Sequence, residues 1–261
     1  MNSYYNFVIV GAGNLGARLA LALKDAGHTA LQIINRNQEK ARILSEKLGA
    51  SYGVNIKIDE RADIVFIATN DDSIPDVIKK CKNKNFLFVH LSGSTSMSVF
   101  NPDMENYGVF YPLQSFTADV DIKFNNIPIL LEASSVANYK ILKDIAYSIS
   151  EKVFEMDSDT RLKCHLGAII AANFSNHFIA LGENFLKENG LPVEILHPLL
   201  DEMISKIRKH GAEKAMTGPA RRNDIVSIQK HIEILKDKPE LQKLYTFVSD
   251  SIINYYRKSN F

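Results

Sequence analysis

The sequence predicts an α/β protein in which a parallel sheet with helices on both faces is followed by an all-helical domain. Up to about residue 156, short apolar runs typical of strands alternate with stretches of helical apolar spacing, and the joining loops are short. From Asp159 onward we find no convincing strand, and only helical spacings remain. We therefore predict two domains, residues 1–156 and residues 157–261.

The first strand and the loop after it carry the most specific signal. The apolar run 7–10 leads directly into a G-x-G-x-x-G motif, whose glycines are Gly11, Gly13 and Gly16. Gly11 permits a tight turn, Gly13 lets a pyrophosphate approach the backbone, and Gly16 lets the next helix pack on the strand. The helix N-terminus offers N–H groups to phosphate. In this context the motif predicts a Rossmann dinucleotide-binding domain, and a glycine-rich turn of another α/β protein is the alternative.

The remaining elements follow in order along the chain. Apolar spacing from Leu15 to Ala26 predicts the first helix, which Gly27 ends. Further strands are predicted at residues 31–34, 64–68, 86–91, 109–111, 127–131 and 152–154. Further helices are predicted at residues 38–48, 73–82, 135–148, 162–187, 193–209, 224–235 and 241–256, with a short piece at 211–216 and a loop at 218–223.

The composition argues against several functional classes. The chain has 261 residues, of which 46% are hydrophobic and 23% charged, and its net charge is +1. This balance indicates neither nucleic acid nor an anionic membrane as a partner. Cys81 and Cys164 lie far apart, form no metal-binding spacing and fit a reduced cytoplasm. We expect a cytoplasmic protein that binds no metal.

No segment predicts export or membrane insertion. The first strand begins within about seven residues of Met1, so we expect no secretory leader. The most apolar helix, around residues 166–181, contains Asn173, Asn176 and His177. These polar groups predict a buried helix instead of a membrane span.

The residues after the second strand favour NADP(H) over NAD(H). NAD-binding domains usually carry Asp or Glu there, because the carboxylate accepts the ribose hydroxyls and repels a 2′-phosphate. Here Asn35, Arg36 and Asn37 take that place. A guanidinium makes bidentate, charge-assisted bonds with a phosphomonoester. A solvated surface arginine is the alternative interpretation of Arg36.

The ends of the next two strands also face the predicted cofactor crevice. Small Ala68 and Thr69 suit close passage of the ribose on the nicotinamide side, and Ser73 is expected to cap the following helix. The polar segment 90–95 either lines the nicotinamide or is an ordinary loop with a helix cap. The residues predicted to bind the cofactor are Gly11, Ala12, Gly13, Asn14, Leu15, Gly16, Asn35, Arg36, Ala68, Thr69, Asn70, Ser92 and Gly93.

Taken together, these signals resemble a known group of enzymes. A Rossmann domain with Asn-Arg after its second strand and a helical C-terminal domain resembles the superfamily of 6-phosphogluconate dehydrogenase, β-hydroxyacid dehydrogenases and pyrroline-5-carboxylate reductase. Residues 111–116 (YPLQSF), 164–173 (CHLGAIIAAN) and 218–224 (GPARRND) are similar to segments of a bacterial family. That family pairs an NADP/deazaflavin-dependent oxidoreductase-like domain with a C-terminal domain of unknown function. The resemblance spans nearly the whole chain and implies the fold, a 6-phosphogluconate-dehydrogenase-like helical domain included, but no particular substrate.

The long predicted helix carries the candidate catalytic groups. β-Hydroxyacid dehydrogenases place a catalytic lysine there with an asparagine one turn later, but here Gly167 follows Lys163. His165 is the better candidate, because a histidine can give a proton to a carbonyl oxygen or imine nitrogen as hydride arrives. Asn173 is expected to orient the substrate, and on an ideal helix Asn176 shares a face with His165. The alternative is a core helix whose polar groups have backbone partners.

Two further substrate contacts are predicted outside this helix. Gln114 follows a strand end, where a cap or turn role for its neighbour Ser115 is equally plausible. Arg221 lies in a loop with two adjacent arginines that suits a carboxylate or phosphate, unless the loop is simply the start of a helix with surface arginines. The predicted substrate-binding residues are therefore Gln114, Asn176 and Arg221.

These observations predict an NADP(H)-dependent oxidoreductase acting on a small polar carbonyl, imine or hydroxy acid. Because no complete catalytic set is readable, a non-catalytic NADP-binding sensor or regulatory protein is the alternative. An S-adenosylmethionine-dependent methyltransferase is a third possibility, against which Arg36 argues. The C-terminal domain contains more apolar helix than about one hundred residues can hide, and this predicts a homodimer.

Overall fold

A computed structural model of the chain describes residues 4–81, 85–117 and 122–258. The chain forms two compact units, Met1–Asn176 and His177–Phe261. Lys82, the last residue of the predicted helix 73–82, lies outside the described residues. The two ends of the chain, which the predicted domains include, also lie outside them.

The first unit is built on an eight-stranded sheet with the order β3-β2-β1-β4-β5-β6-β7-β8. Neighbouring strands from β3 to β6 are parallel, whereas β7 is antiparallel to β6 and parallel to β8. The strands are β1 (Asn6–Val10), β2 (Thr29–Ile34), β3 (Ser51–Gly53), β4 (Ile64–Ile67), β5 (Leu87–His90), β6 (Tyr107–Pro112), β7 (Ile129–Ala133) and β8 (Val153–Glu155).

Helices cover both faces of this sheet, as the alternating pattern predicts. The helices of the sheet region are α1 (Asn14–Asp25), α2 (Gln38–Leu48), α3 (Ile74–Lys80) and α4 (Val136–Ile149). Helices α1, α2 and α4 pack with one side of the strands, including Phe7 and Ile9 of β1. Helix α3 packs with the other side, including Val8 and Val10. This alternation within β1 follows from the two-residue period of a strand.

The sequence prediction of an α/β sheet domain followed by helices is confirmed. The strand β3 was not predicted, because three residues are too few to produce an apolar pattern. The reversed direction of β7 and β8 was not predicted either, since apolar content carries no information about strand direction.

One continuous helical segment follows the sheet. It consists of α5 (Ser158–Ala168), a π-helical segment (Ile169–Phe174) and α6 (Ser175–Glu188). By length and composition this segment could cross a membrane, yet its most apolar window is not buried within the chain. The expectation of a buried helix is therefore wrong for the single chain. The exposed apolar side chains of its first half are Leu162, Leu166, Ile170 and Phe174.

The described residues of the rest of the chain contain helices joined by loops and no strand. The helices are α7 (His197–His210), α8 (Ala212–Ala215), α9 (Ile225–Ile234) and α10 (Pro239–Lys258). Ala220, Ile228 and Ile253 form the small buried cluster of this unit. The predicted domain boundary after residue 156 follows the last strand, whereas the compact units divide at residue 176. Helix α5 belongs to the first unit and forms an ion pair with β7 through Arg161. The boundary at residue 156 therefore stays a prediction.

Candidate functional site

The glycine-rich loop between β1 and α1 has the tight geometry that its sequence predicts. Gly11 has a φ of +114°, and a Cβ there would lie 2.4 Å from the carbonyl oxygen of Ala68. A Cβ at Gly16 would lie 2.1 Å from the carbonyl oxygen of Gly11, so α1 packs directly on the turn. A Cβ at Gly13 would have no atom within 4 Å. There is thus no room for a side chain at Gly11 or Gly16, whereas the space beside Gly13 is empty of protein atoms.

The first turn of α1 keeps its backbone donors available. Among the described residues, no side chain caps the N–H groups that follow Gly13. Asn14 instead donates its side-chain amide to the carbonyl oxygen of Phe116 at 3.1 Å, and Leu15 packs against the core. Free N–H groups and the helix dipole together attract phosphate. This end of α1 therefore suits a pyrophosphate.

A cavity of about 410 Å³ opens beside this loop. Its lining comes from the ends of three neighbouring strands, from α3 and from the segment after β3. The predicted cofactor residues that line it are Gly11, Gly13, Asn35, Arg36, Ala68, Thr69 and Asn70. Sequence analysis missed Val54, Asn55, Ile56, Asp76 and Lys80, which also line it. These residues carry no motif, and only the fold brings them to this cavity.

Asn35 and Arg36 play different roles at the end of β2. The side-chain oxygen of Asn35 accepts the backbone N–H of Ala12 at 3.1 Å, and its amide nitrogen donates to the carbonyl oxygen of Asn37 at 3.0 Å. Asn35 therefore holds the glycine loop against β2. Arg36 is exposed and has no hydrogen-bond or ion-pair partner in the described part of the chain. Its guanidinium is free to take an anion.

Thr69 adds a hydroxyl to the cavity. Its Oγ1 atom is buried and lacks a hydrogen-bond partner within the described residues. Buried hydroxyls in proteins nearly always have a partner, so an orphan lining a cavity marks a place for a ligand. Thr69 lies just after β4, where the sequence predicts the ribose to pass.

The loop after β5 is held mainly by its own serines. The hydroxyl oxygen of Ser92 accepts the backbone N–H groups of Ser94 and Thr95, at 3.1 and 2.9 Å. The backbone N–H of Ser92 donates to Nδ1 of His90 at 3.2 Å. The hydroxyl of Ser94 donates to Asp71, which follows β4. Ser92 therefore has the loop-forming role that the sequence left as an alternative, and its contact with a cofactor stays a prediction.

A hydrogen-bonded pair formed by Tyr111 and His165 lies against Gly93 of this loop. The Tyr111 hydroxyl is 2.9 Å from Nδ1 of His165, and the two rings meet edge to face. Burial, and next the carboxylate of Asp71, raise the pKa of Tyr111 to about 12, while the charge of Arg161 acts in the opposite direction. Tyr111 therefore remains a neutral phenol near neutral pH.

Arg161 anchors α5, the helix that carries His165. Its side chain is 1% exposed and forms an ion pair with Glu132 of β7. It also donates to the carbonyl oxygen of Thr95 at 2.6 Å, and Ser158 donates to Glu132 at 2.8 Å. Sequence analysis missed this network, because an arginine in a helix is ordinarily a surface residue. The network joins β7, the loop after β5 and the start of α5.

The candidate Asn173 lies in the π-helical segment. A π turn holds more residues than an α turn, so residues before and after it lose the regular α-helical spacing. The argument that His165 and Asn176 share a face assumed an uninterrupted α-helix and therefore loses its basis. Asn173 and Asn176 are both exposed. Their predicted roles remain predictions.

The two remaining substrate candidates have local partners. The side-chain oxygen of Gln114 accepts the backbone N–H of Ser115 at 2.9 Å, a turn contact. In the helical unit, the Arg221 guanidinium carbon lies 4.2 Å from the ring centroid of Tyr256, and Asp224 caps α9. Neither contact uses all the donors of Gln114 or Arg221, so both can still receive a ligand.

Comparison with known proteins places the chain in a family. Residues 127–252 match the family model described as a domain of unknown function (DUF2520), and residues 2–91 match the model of shikimate / quinate 5-dehydrogenase. The solved structure of a Bacteroides fragilis protein, described as a candidate NADP oxidoreductase, is 35% identical with a TM-score of 0.89, covering 96% of this chain and 98% of that one. The chain belongs to the family of this protein.

The chain is also similar to more distant proteins. A reductive aminase from Aspergillus terreus, solved with NADPH and ethyl-5-oxohexanoate, is 14% identical with a TM-score of 0.72, covering 97% of this chain and 100% of that one. A glutamyl-tRNA reductase from Shewanella pealeana is 22% identical over 231 residues, which are 85% of this chain and 54% of the relative. The chain spans no more than about half the length of the curated relatives it matches.

Proposed function

We propose that this chain is an NADP(H)-dependent oxidoreductase, which moves hydride between the cofactor and a small polar carbonyl, imine or hydroxy acid. The observation that carries the proposal is that Arg36, which has no partner among the described residues, lines a cavity together with Gly13 of the glycine-rich loop. A carboxylate at this place would repel a 2′-phosphate, whereas a free guanidinium attracts it.

The residues present fit this cofactor. The backbone N–H groups that follow Gly13 would hold the pyrophosphate, Arg36 would bind the 2′-phosphate, and the orphan hydroxyl of Thr69 would meet a ribose. Lys80 and Asp76 line the same cavity and bring one positive and one negative charge to it. When bound, the cofactor supplies hydride transfer, and the protein supplies orientation and a proton.

The proton is assigned to His165. A histidine titrates near neutral pH and can serve as acid in reduction and as base in oxidation. Its position on α5, held by the Arg161 network and next to the loop after β5, supports this role. Asn173, Asn176, Gln114 and Arg221 stay candidates for orienting the substrate.

The family relationships support a reductase. The Bacteroides fragilis relative is described as an NADP oxidoreductase candidate, and the distant relatives include a reductive aminase and glutamyl-tRNA reductases. All of these names are those of oxidoreductases, which supports the reaction class proposed here.

The purified protein tests this function directly. NADPH binding is measured by calorimetry, and consumption of NADPH is then followed with a panel of oxo acids, aldehydes and cyclic imines. We expect tight binding and consumption with at least one substrate class. Binding without any consumption would favour the alternative of an NADP-binding sensor, and absence of binding would contradict the proposal.

We also propose that the protein forms a homodimer and that it is located in the cytoplasm. The apolar stripe of the long helix, Leu162, Leu166, Ile170 and Phe174, is roughly half exposed in the single chain. Exposed apolar stripes of this kind can mark a protein interface, and a second copy of the chain is the simplest partner. Both cysteines are free, which fits a reducing compartment.

A further inference from the structure

We infer that Tyr111 is a positioning residue for His165, which holds Nδ1 of the imidazole so that Nε2 is the atom that exchanges a proton with the substrate. This inference rests on the proposed function, because it assigns the transferring atom of the same acid–base group. It concerns a tyrosine to which neither the sequence patterns nor the family descriptions give a role.

The first support is the division of the two imidazole nitrogens. Nδ1 lies 2.9 Å from the Tyr111 hydroxyl, whereas Nε2 has no hydrogen-bond partner in the described part of the chain. The hydrogen bond made by one ring nitrogen fixes the orientation of the imidazole. It also determines whether the other nitrogen carries a proton. The free nitrogen is therefore the one that a substrate can reach.

The second support is that a phenol can serve both protonation states of its partner. A hydroxyl accepts a hydrogen bond from an Nδ1–H group and donates one to a bare Nδ1. The raised pKa of Tyr111, about 12, keeps the proton on the phenol throughout. Tyr111 can thus hold His165 before and after proton transfer without ionising itself.

The third support is the packing around the pair. A Cβ on Gly93 would lie 2.6 Å from Cζ of Tyr111 and 2.8 Å from Nδ1 of His165. The backbone of the loop after β5 therefore packs directly against the two hydrogen-bonded side chains, and only glycine fits at position 93. Arg161 ties the same loop to α5 through the carbonyl oxygen of Thr95. Strand β6, this loop and α5 thus meet at the bond between Tyr111 and His165.

Two charged groups of neighbouring elements act on Tyr111. Asp71 and Arg161 act on Tyr111 from the segment after β4 and from α5. Arg161 is already paired with Glu132, and Asp71 accepts the Ser94 hydroxyl. Both groups are thus engaged elsewhere, and the inference assigns the transferred proton to the imidazolium of His165.

The proton-transfer step follows from this arrangement. In the reductive direction, bound NADPH would supply hydride to the substrate carbon, where a C–H bond would form. The π-electron pair of the C=O or C=N bond moves to the oxygen or nitrogen, which takes the proton from Nε2 of the His165 imidazolium. Neutral His165 then keeps its Nδ1–H group, which donates to the Tyr111 hydroxyl oxygen. The oxidative direction reverses each transfer.

The test combines NMR of His165 with turnover measurements. The protein is labelled with ¹⁵N-histidine, and the His165 signals are assigned through their loss in His165→Gln. In Tyr111→Phe we expect the Nδ1 resonance to shift more than Nε2, because only Nδ1 loses its bond. With any active substrate, turnover should fall by up to about 100-fold, as expected for a misplaced catalytic group. KM and NADPH affinity should change less than about threefold.

Two further variants separate positioning from folding. Gly93→Ala keeps both side chains but forces them apart, so it should reproduce the NMR and turnover changes of Tyr111→Phe. Tyr107→Phe removes a hydroxyl from the same strand, β6, and should leave His165 unchanged. The inference is overturned if Tyr111→Phe leaves both the Nδ1 resonance and turnover unchanged, or lowers only thermal stability. If the wild-type protein consumes no NADPH, the proposed function fails, while the NMR comparison still decides whether Tyr111 positions His165.

Discussion

At the residue scale, the buried His90 links the stability of the sheet to pH. Its side chain is fully buried, stacks on Phe100, and accepts the backbone N–H of Ser92 at Nδ1. Burial, and next the charge of Arg161, lower the pKa of His90 to about 3, while Asp71 acts in the opposite direction. The folded protein therefore resists protonation at a position that the unfolded chain protonates near pH 6.5.

This difference predicts acid destabilisation that a variant can remove. Because the folded pKa lies below the unfolded one, the stability contributed by neutral His90 is complete above about pH 6.5 and is lost as the pH falls toward about 3. The loss can reach about 1.4 kcal/mol per pH unit. In His90→Asn, whose side-chain oxygen can replace Nδ1 as acceptor, denaturant unfolding should show a smaller loss between pH 7 and pH 4. His28, whose pKa burial also lowers, contributes equally to both proteins. Parallel pH profiles for the two proteins would contradict the prediction.

Single residues also show where sequence reasoning succeeds and where it stops. The conformations of Gly11 and Gly16 were predictable, because a local motif specifies them. Asn35 lines the predicted cavity, but its amide is bonded to the backbone, a contact that the sequence alone does not reveal. The partner of His165 was not predicted, since Tyr111 lies 54 residues away and only the fold brings the two together.

At the scale of secondary-structure elements, one ion pair joins α5 to the sheet. Arg161 is 1% exposed and Glu132 is 15% exposed, so loss of the carboxylate leaves a buried guanidinium charge without compensation. Breaking such a pair from one side is strongly destabilising. Glu132→Gln should therefore lower the free energy of unfolding by about 3 kcal/mol. Glu151→Gln, which removes an exposed carboxylate just before β8, should change it by less than about 0.5 kcal/mol.

Denaturant unfolding at neutral pH measures both variants. If Glu132→Gln and Glu151→Gln have the same unfolding midpoint, the ion pair does not hold α5 against the sheet. The element order itself was largely predictable, because apolar periodicity and glycine stops are local. The π-helical segment was not, since a π turn leaves no pattern in the apolar spacing of residues 169–174.

At the scale of the whole molecule, the exposed stripe on the long helix predicts a homodimer. Light scattering at micromolar concentration should give twice the mass of one chain, which is 29.3 kDa. Ile170→Glu places a charge in the middle of the stripe and should shift the protein toward monomer, because an unpaired charge in an apolar interface is costly. Thr160→Glu, on an exposed position of the same helix, should remain dimeric. A monomeric wild type would contradict the prediction.

The sequence could not decide what covers this helix. Apolar spacing predicts that a helix face is covered, but it does not distinguish the chain's own core from a second chain. The helix was therefore expected to be buried, whereas Leu166 and Ile170 are each 54% exposed in the single chain.

The central claim is that the chain binds NADP(H) through Arg36. Calorimetric titration with NADPH and NADH, for the wild type and for Arg36→Ala, measures it most directly. The account predicts at least about tenfold tighter binding of NADPH, equivalent to about 1.4 kcal/mol, and loss of this preference in Arg36→Ala. Arg42→Ala, which removes an arginine paired with Glu39 and Glu46 on α2, should keep the preference. Equal dissociation constants for the two nucleotides in the wild type, or an unchanged ratio in Arg36→Ala, would contradict the account.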